Sequence, residues 1–324
     1  MAGAESRDRL IEKLRRELGP VVLKALDDPH VVEVMLNEDG TLWEDRLGAD
    51  MKPIGTMTDS QALNLICTVA GMIGVEAKSS TPIVEGELPL DGSRFEGIIP
   101  PVVERPVFAI RMRAVRIFAF DDYIRTGIMN EDQLAVLIAH IDQRHNILVV
   151  GATGSGKTTF CNAILDYIAR KHEDGRIGIL EDTRELQCAA RNKFCLRTTE
   201  HIGMVGLLRA TLRMRPDRIV VGEVRDRAAL TLIKAWNTGH SGGVATVHAN
   251  SAESGLTRIE QLIEEANVRA VKAVIAEAIN CIVSIQRTKE GRKVQEIVTV
   301  LGATRDGYRL QIASQNVQPL KGVA

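Results

Sequence analysis

Aromatic residues are scarce. Only 3% of the 324 residues are Phe, Tyr or Trp, which argues against a surface that stacks bases on aromatic platforms. Charge of one sign is also missing: 41 Lys and Arg face 42 Asp and Glu, for a net −1, so a generally basic nucleic-acid binder is not indicated. The five cysteines, Cys67, Cys161, Cys188, Cys195 and Cys281, include no C-x-x-C pair. That spacing excludes the usual zinc modules and leaves reduced, mostly buried thiols as the expectation. No apolar run approaches the roughly 20 residues of a membrane span. The opening MAGAESRDRLIEKLRREL is charged and lacks the apolar stretch of a signal peptide. The expectation is a cytoplasmic protein with no transmembrane segment. What the chain does have is length for two domains and 45% hydrophobic residues, enough for real cores.

The stretch that organises the rest is NILVVGATGSGKTTF, Asn146 to Phe160. An apolar strand pattern, Ile147 to Val150, leads into Gly151, Ala152, Thr153, Gly154, Ser155, Gly156, Lys157 and Thr158, followed by Thr159. This fits G-x-x-x-x-G-K-[ST] at every fixed position. Glycines let the backbone curl so that successive N–H groups point at phosphate oxygens, and the following helix aims its positive end at the same anion. Lys157 is expected to reach the β- and γ-phosphates, and the Thr158 hydroxyl to sit on Mg²⁺. ATP with Mg²⁺ is therefore the expected ligand.

Before the loop, residues 5 to 27 read as a helix with Leu10, Ile11, Leu14 and Leu18 on one face, interrupted at Gly19-Pro20. Val31 to Leu36 and Thr41 to Glu44 read as strands around an Asn37–Gly40 turn. Thr58 and Asp59 cap a helix to about Met72 with Leu63, Ile66, Cys67 and Ala70 inward. Extended segments follow at Pro82 to Leu90, Arg94 to Ile99 and Val107 to Met112. Residues 1–118 thus read as a smaller α+β domain with a largely antiparallel sheet. The pattern loosens at Asp121, Asp122, Gly127 and Asn130, so 119–131 is assigned as the linker. Residues 132–324 alternate strands and helices, which predicts an α/β, RecA-like P-loop NTPase domain built on a mainly parallel sheet, with a β-rich end from 281.

Three groups beyond the loop suit phosphoryl transfer, which needs positioning and charge compensation. Arg218 to Gly222 is a buried strand followed by Glu223. Its carboxyl end is expected beside the P-loop, with Glu223 holding Mg²⁺ through water or orienting the attacking water. Glu181 ends the run Ile177 to Leu180 and is placed to share the polarising of water; Asp182 and Glu185 are either part of that group or surface acids. His240 lies in a turn and His248 at a strand end, where an imidazole near a γ-phosphate would report its presence.

GATGSGKTT, EDTREL, RIVVGEVRD and TGHSGGVATVHANS stand in the order and spacing of the secretion ATPase superfamily. They resemble its Walker A, Asp-box, Walker B and His-box motifs. The resemblance is tight over roughly 125 to 275, weaker before, and strongest to the type IV secretion, conjugal-transfer branch. It implies a homo-hexameric ATPase motor at the cytoplasmic face of the inner membrane, docked on secretion or conjugation subunits. It makes Glu223 the Walker B acid and His248 the His-box histidine. It also implies that N-terminal arginines reach the phosphates; Asp91-Gly92-Ser93-Arg94-Phe95 and Ile110-Arg111 resemble the relevant segments, so Arg94 and Arg111 are assigned, with Arg113 in reserve. One departure narrows the family: the four-cysteine module of the type II branch is lacking; the Walker B position reads Gly-Glu rather than Asp-Glu, as is usual in this family but unlike many helicases. Two other classes stay open, a RecA-like nucleic-acid motor and a nucleotide-gated scaffold.

Overall fold

Gly19 and Pro20 decide how the chain begins. In the computed structural model, which describes residues 2–46, 49–112, 117–199 and 201–315, helical hydrogen bonding covers α1 (Ala2–Leu26), but Gly19 sits at φ 70 and ψ 168. The left-handed φ suits glycine alone, and Pro20 restarts the helix at a position where its missing N–H costs nothing. Leu14, Leu18 and Val22 stay buried across the kink.

The chain divides into two units, Met1–Arg116 and Ile117–Ala324. In the first, β1 (Val31–Leu36), β2 (Thr41–Arg46), β3 (Lys52–Thr56), α2 (Asp59–Ile73), β4 (Ile83–Glu87), β5 (Arg94–Ile98) and β6 (Val107–Arg111) follow α1. The strands form one antiparallel sheet in the order β3-β2-β1-β6-β5-β4. Alternation puts Val34, Leu36, Leu42, Phe95, Phe108 and Ile110 on the face that packs with α1 and α2. A capping box from Thr58 and Gln61 starts α2, and Gly74 at φ 82 ends it. The inward side of α2 is Ala62, Leu65, Ile66, Val69 and Ala70, whereas Leu63 and Cys67 are exposed. The expected stripe was rotated because Ala62, small and at the right spacing, belongs to it. The thiols also differ from expectation: only Cys161 and Cys281 are buried.

The second unit runs α3 (Phe120–Arg125), α4 (Glu131–Asp142), β7 (Ile147–Val150), α5 (Lys157–Lys171), β8 (Ile177–Glu181), β9 (Lys193–Arg197), α6 (Met204–Thr211), β10 (Arg218–Val221), α7 (Ala228–Asn237), β11 (Val244–Val247), α8 (Ala252–Glu264), α9 (Lys272–Ala278), β12 (Cys281–Thr288), β13 (Gly291–Ala303) and β14 (Tyr308–Gln315). Its sheet order is β14-β13-β12-β7-β11-β10-β8-β9. The six strands from β12 to β9 are parallel, and β13 and β14 extend the sheet antiparallel. Strands β7, β8, β10 and β11 are buried along most or all of their length, as strands covered on both faces must be. One face packs under α6, α7, α8 and α9 and the other under α3, α4 and α5.

The stretch 119–131, read as a linker, instead contributes to this core. Phe120 and Tyr123 are buried three residues apart on α3. Tyr123 meets Phe160 edge-on at 5.3 Å between ring centres, and Phe120 lies 5.8 Å from Tyr167. A chain so poor in aromatics spends several here, and their buried area outweighs the turn-forming Asp121, Asp122 and Gly127 that made the segment look loose.

Candidate functional site

Parallel strands deliver all their C-terminal ends to one edge of the sheet, and Gly151, Glu181, Glu223 and His248 each stand at such an end. The order along that edge corrects one expectation. The Walker B strand β10 is not beside the P-loop strand β7; the His-box strand β11 lies between them. His248 is therefore interposed between Lys157 and Glu223.

The loop itself is the curl its glycines permit. Gly154 (φ 70) and Gly156 (φ 100) are left-handed, and Gly156 is the N-cap of α5. Lys157 is buried, and its Nζ donates to the carbonyls of Gly151 (2.9 Å) and Ala152 (3.0 Å). The same Nζ is 3.1 Å from His248 Nδ1. His248 Nε2 lies 2.8 Å from Glu223 Oε1, and Glu223 Oε2 accepts from Arg225 at 2.7 Å. Lys157, His248, Glu223 and Arg225 thus form one continuous polar line. Burial, then the Lys157 charge, lowers the His248 pKa, so the ring is neutral and Nδ1 accepts from the ammonium. Burial works against the charge of Glu223, but the Arg225 hydrogen bond and the charges of Arg225 and Lys157 outweigh it and hold the carboxyl below its usual range.

Glu181 and Glu185 exchange their expected emphasis. Glu181 is buried, and its Oε1 accepts from the backbone N–H groups of Glu185 (2.9 Å) and Leu186 (2.7 Å). It holds the turn of the Asp-box in shape. Room for it comes from Gly222: a Cβ there would lie 3.0 Å from Glu181 Cγ, which gives the glycine before Glu223 a steric reason. The turn is tied again where Gln187 N–H donates to Asn162 Oδ1 at 2.8 Å. Its product is the position of Glu185, whose Oε2 accepts from the Thr158 hydroxyl at 3.3 Å. Spacing alone left Glu185 undecided between site and surface because a loop, not a strand end, carries it. Arg225 was likewise passed over; its place after Glu223 was the available signal.

Among the described residues no group of three or more His, Cys, Asp or Glu is set to cage a metal. The donors do suit a hard cation held mainly by phosphates and water. Thr158 and Glu185 converge at the helix start, and hydroxyl and carboxylate oxygens are the donors such an ion takes. His240 falls elsewhere. It precedes β11, so it lies at the opposite end of the sheet from the P-loop.

In the N-terminal unit, Arg94 on β5 is the direct cross-strand partner of Arg111 on β6. Glu87 stands opposite Arg94 and Glu33 opposite Arg111. Two like charges paired across strands repel unless carboxylates or an anion compensate them. Arg113 lies outside the described residues.

Comparison with known proteins agrees with this architecture. Residues 21–315 match the family described as Type II/IV secretion system protein. The chain is 50% identical over 311 residues to the probable conjugal transfer protein TrbB of Sinorhizobium fredii, covering 96% of both chains. It is 48% identical over 315 residues to the conjugal transfer protein TrbB of Rhizobium radiobacter, covering 97% of this chain and 98% of the relative. Among solved structures, the Legionella pneumophila ATPase DotB shares the fold, with a TM-score of 0.63 at 16% identity over 86% of this chain and 79% of that one. With its P-loop, Asp-box, Walker B and His-box ends gathered at one sheet edge, the chain belongs to the type II/IV secretion ATPase family, in its type IV conjugal-transfer branch.

Proposed function

We propose that this protein hydrolyses ATP as the motor subunit of a conjugal-transfer machine. The observation that carries the reading is the line from Lys157 through His248 to Glu223, with Thr158 and Glu185 alongside. In this reading the backbone N–H groups of 151–159 cradle the phosphates. Lys157 exchanges the carbonyls of Gly151 and Ala152 for β- and γ-phosphate oxygens, which a charge-assisted hydrogen bond favours. Its departure frees His248 Nδ1, so the imidazole senses whether a γ-phosphate is present. Water attacks the γ-phosphorus as the bond to the ADP oxygen breaks, and the proton lost by that water passes toward the Glu223 carboxylate. Mg²⁺, bound with ATP, neutralises charge on the β- and γ-phosphates. Thr158 would hold it, with Glu185 and Glu223 through water. Glu181 acts by holding Glu185 in place.

Arg94 and Arg111 complete the proposal as the groups that compensate γ-phosphate charge from the N-terminal unit. Their delocalised, always-charged forks fit that task. The relatives' names support a role in conjugal transfer, and the superfamily resemblance implies a homo-hexamer working with inner-membrane conjugation subunits at the cytoplasmic face. No described helix is long and apolar enough to cross a membrane, so membrane attachment in this reading runs through those subunits. The test is steady-state hydrolysis with Mg²⁺-ATP beside native mass measurement with and without a non-hydrolysable analogue. Hydrolysis that depends on Glu223 and a six-fold assembly are expected. A monomer that binds but never hydrolyses ATP, with or without its membrane partners, would overturn the motor reading.

A further inference from the structure

The hairpin of β12 and β13 touches more of the site than its place near the end of the chain suggests. A Cβ placed on Gly151 would lie 2.3 Å from the Ile285 carbonyl oxygen. One placed on Gly156 would lie 2.9 Å from Arg292 Cδ and 3.2 Å from its Nε. Two P-loop glycines are therefore glycines partly because this hairpin lies against them. The hairpin is also pinned elsewhere. Gln286 Nε2 donates to the Asn250 carbonyl at 2.7 Å, and Glu296 Oε1 accepts from Ala252 N–H at 2.8 Å, just after the His-box. Lys293 Nζ donates to the Gly127 carbonyl at 2.9 Å, and Val294 N–H to that of Ile128 at 2.8 Å.

We propose that Arg292 is a further nucleotide-binding residue, placed by this pinned hairpin to donate from its guanidinium to a phosphate oxygen of the nucleotide in the P-loop. The proposal rests on the P-loop reading above. Gly156 is the residue whose backbone turns the loop into α5, where the N–H groups and the helix dipole converge on an anion. A guanidinium whose stem lies on that glycine is within a side chain's reach of anything the loop cradles. Its fork is suited to phosphate, and its backbone is held on both sides, so little ordering is left for the moment of binding. A guanidinium stem against Gly156 brings positive charge to the turn where the loop and the start of α5 gather an anion.

The experiment compares wild type, Arg292→Ala, Arg292→Lys and Lys157→Ala in displacement of a fluorescent ATP analogue by Mg²⁺-ATP and by Mg²⁺-tripolyphosphate, with melting of each nucleotide-free protein. Expected are a roughly 10-fold loss for both ligands in Arg292→Ala and a smaller loss in Arg292→Lys. Wild-type affinity for both ligands in Arg292→Ala, or a loss confined to ATP with tripolyphosphate unaffected, overturns the phosphate contact. Equal loss in the Ala and Lys variants with a lowered nucleotide-free melting temperature also overturns it. If Lys157→Ala binds as wild type, the P-loop reading fails instead, and the two failures are distinct.

Discussion

The two ends of the parallel sheet both gather polar groups and treat them oppositely. At the N-terminal end, Asn146 donates to the Ala278 carbonyl (2.7 Å) and accepts from Gly243 N–H (2.9 Å). Arg218, buried, donates to the carbonyls of Gly242 (2.9 Å) and Ile141 (3.4 Å). These are partners that cannot leave, so the groups serve the fold. At the C-terminal end, Lys157, His248, Glu223 and Arg225 are paired with one another, and the buried Ser155 Oγ has no hydrogen-bond partner. Side-chain partners can be exchanged and orphaned atoms can be satisfied by a ligand. A polar cluster closed entirely by backbone reads as structure, and one that leans on exchangeable side chains reads as a site.

Substitutions at the two ends should therefore separate turnover from stability. The largest effect is expected from Lys157→Ala and Glu223→Gln, each lowering kcat/KM for ATP by about 10²-fold or more. Lys157→Ala loses nucleotide binding, and Glu223→Gln keeps it; isothermal titration with hydrolysis assays reads both, and Glu223→Gln keeps a nucleotide-free melting temperature near wild type. Arg218→Ala is the mirror case. It leaves the Gly242 and Ile141 carbonyls without their donor and opens space, for a loss of about 2 kcal/mol in denaturant unfolding with nucleotide affinity retained. Should Arg218→Ala abolish ATP binding without lowering stability, the contrast between the ends collapses.

Acid provides a comparable test of the structural end. His140 Nδ1 is 2.7 Å from His145 Nδ1, and its Nε2 is 2.9 Å from Thr299 Oγ1. Burial, with the neighbouring His145 second, lowers its pKa from 6.5 to about 4. The unfolded chain thus takes up this proton near pH 6.5 and the folded one only near 4. The stability contributed by neutral His140 is intact above pH 6.5 and is lost as pH falls from 6.5 toward 4, a change on the order of 2–3 kcal/mol. Replacing His140 with Gln should flatten the unfolding free energy across that window. The smallest effect is expected at the C-terminal end: Ser251 caps α8 by accepting from Ser254 N–H at 3.1 Å, and Ser251→Ala should cost about 1 kcal/mol with ATP turnover within two-fold of wild type.

Much of this was legible along the chain because local rules generate it. The glycine pattern at 151–156, the capping residues Thr58 and Asn130 and the buried runs before Glu181 and Glu223 each act over a few residues. Less visible was whatever depends on partners distant in sequence. The stretch 119–131 has a loop's composition, but its two aromatic residues find Phe160 some forty residues on. Glu185 sits in a loop whose shape is set by Glu181 and Asn162. Arg292 lies 136 positions after the glycine it packs against, inside what reads only as a β-rich end.

The sequence by itself determined that there is a phosphate-shaped loop, that a parallel sheet carries it, and which acids and imidazole stand at strand ends, because strand period, glycine freedom and helix starts are encoded within a few neighbours. Only the tertiary structure decided that β11 comes between β7 and β10, so that His248 lies between Lys157 and Glu223. Strand order is fixed by packing of helices on two faces and by closure through β12, and neither is written in any single segment.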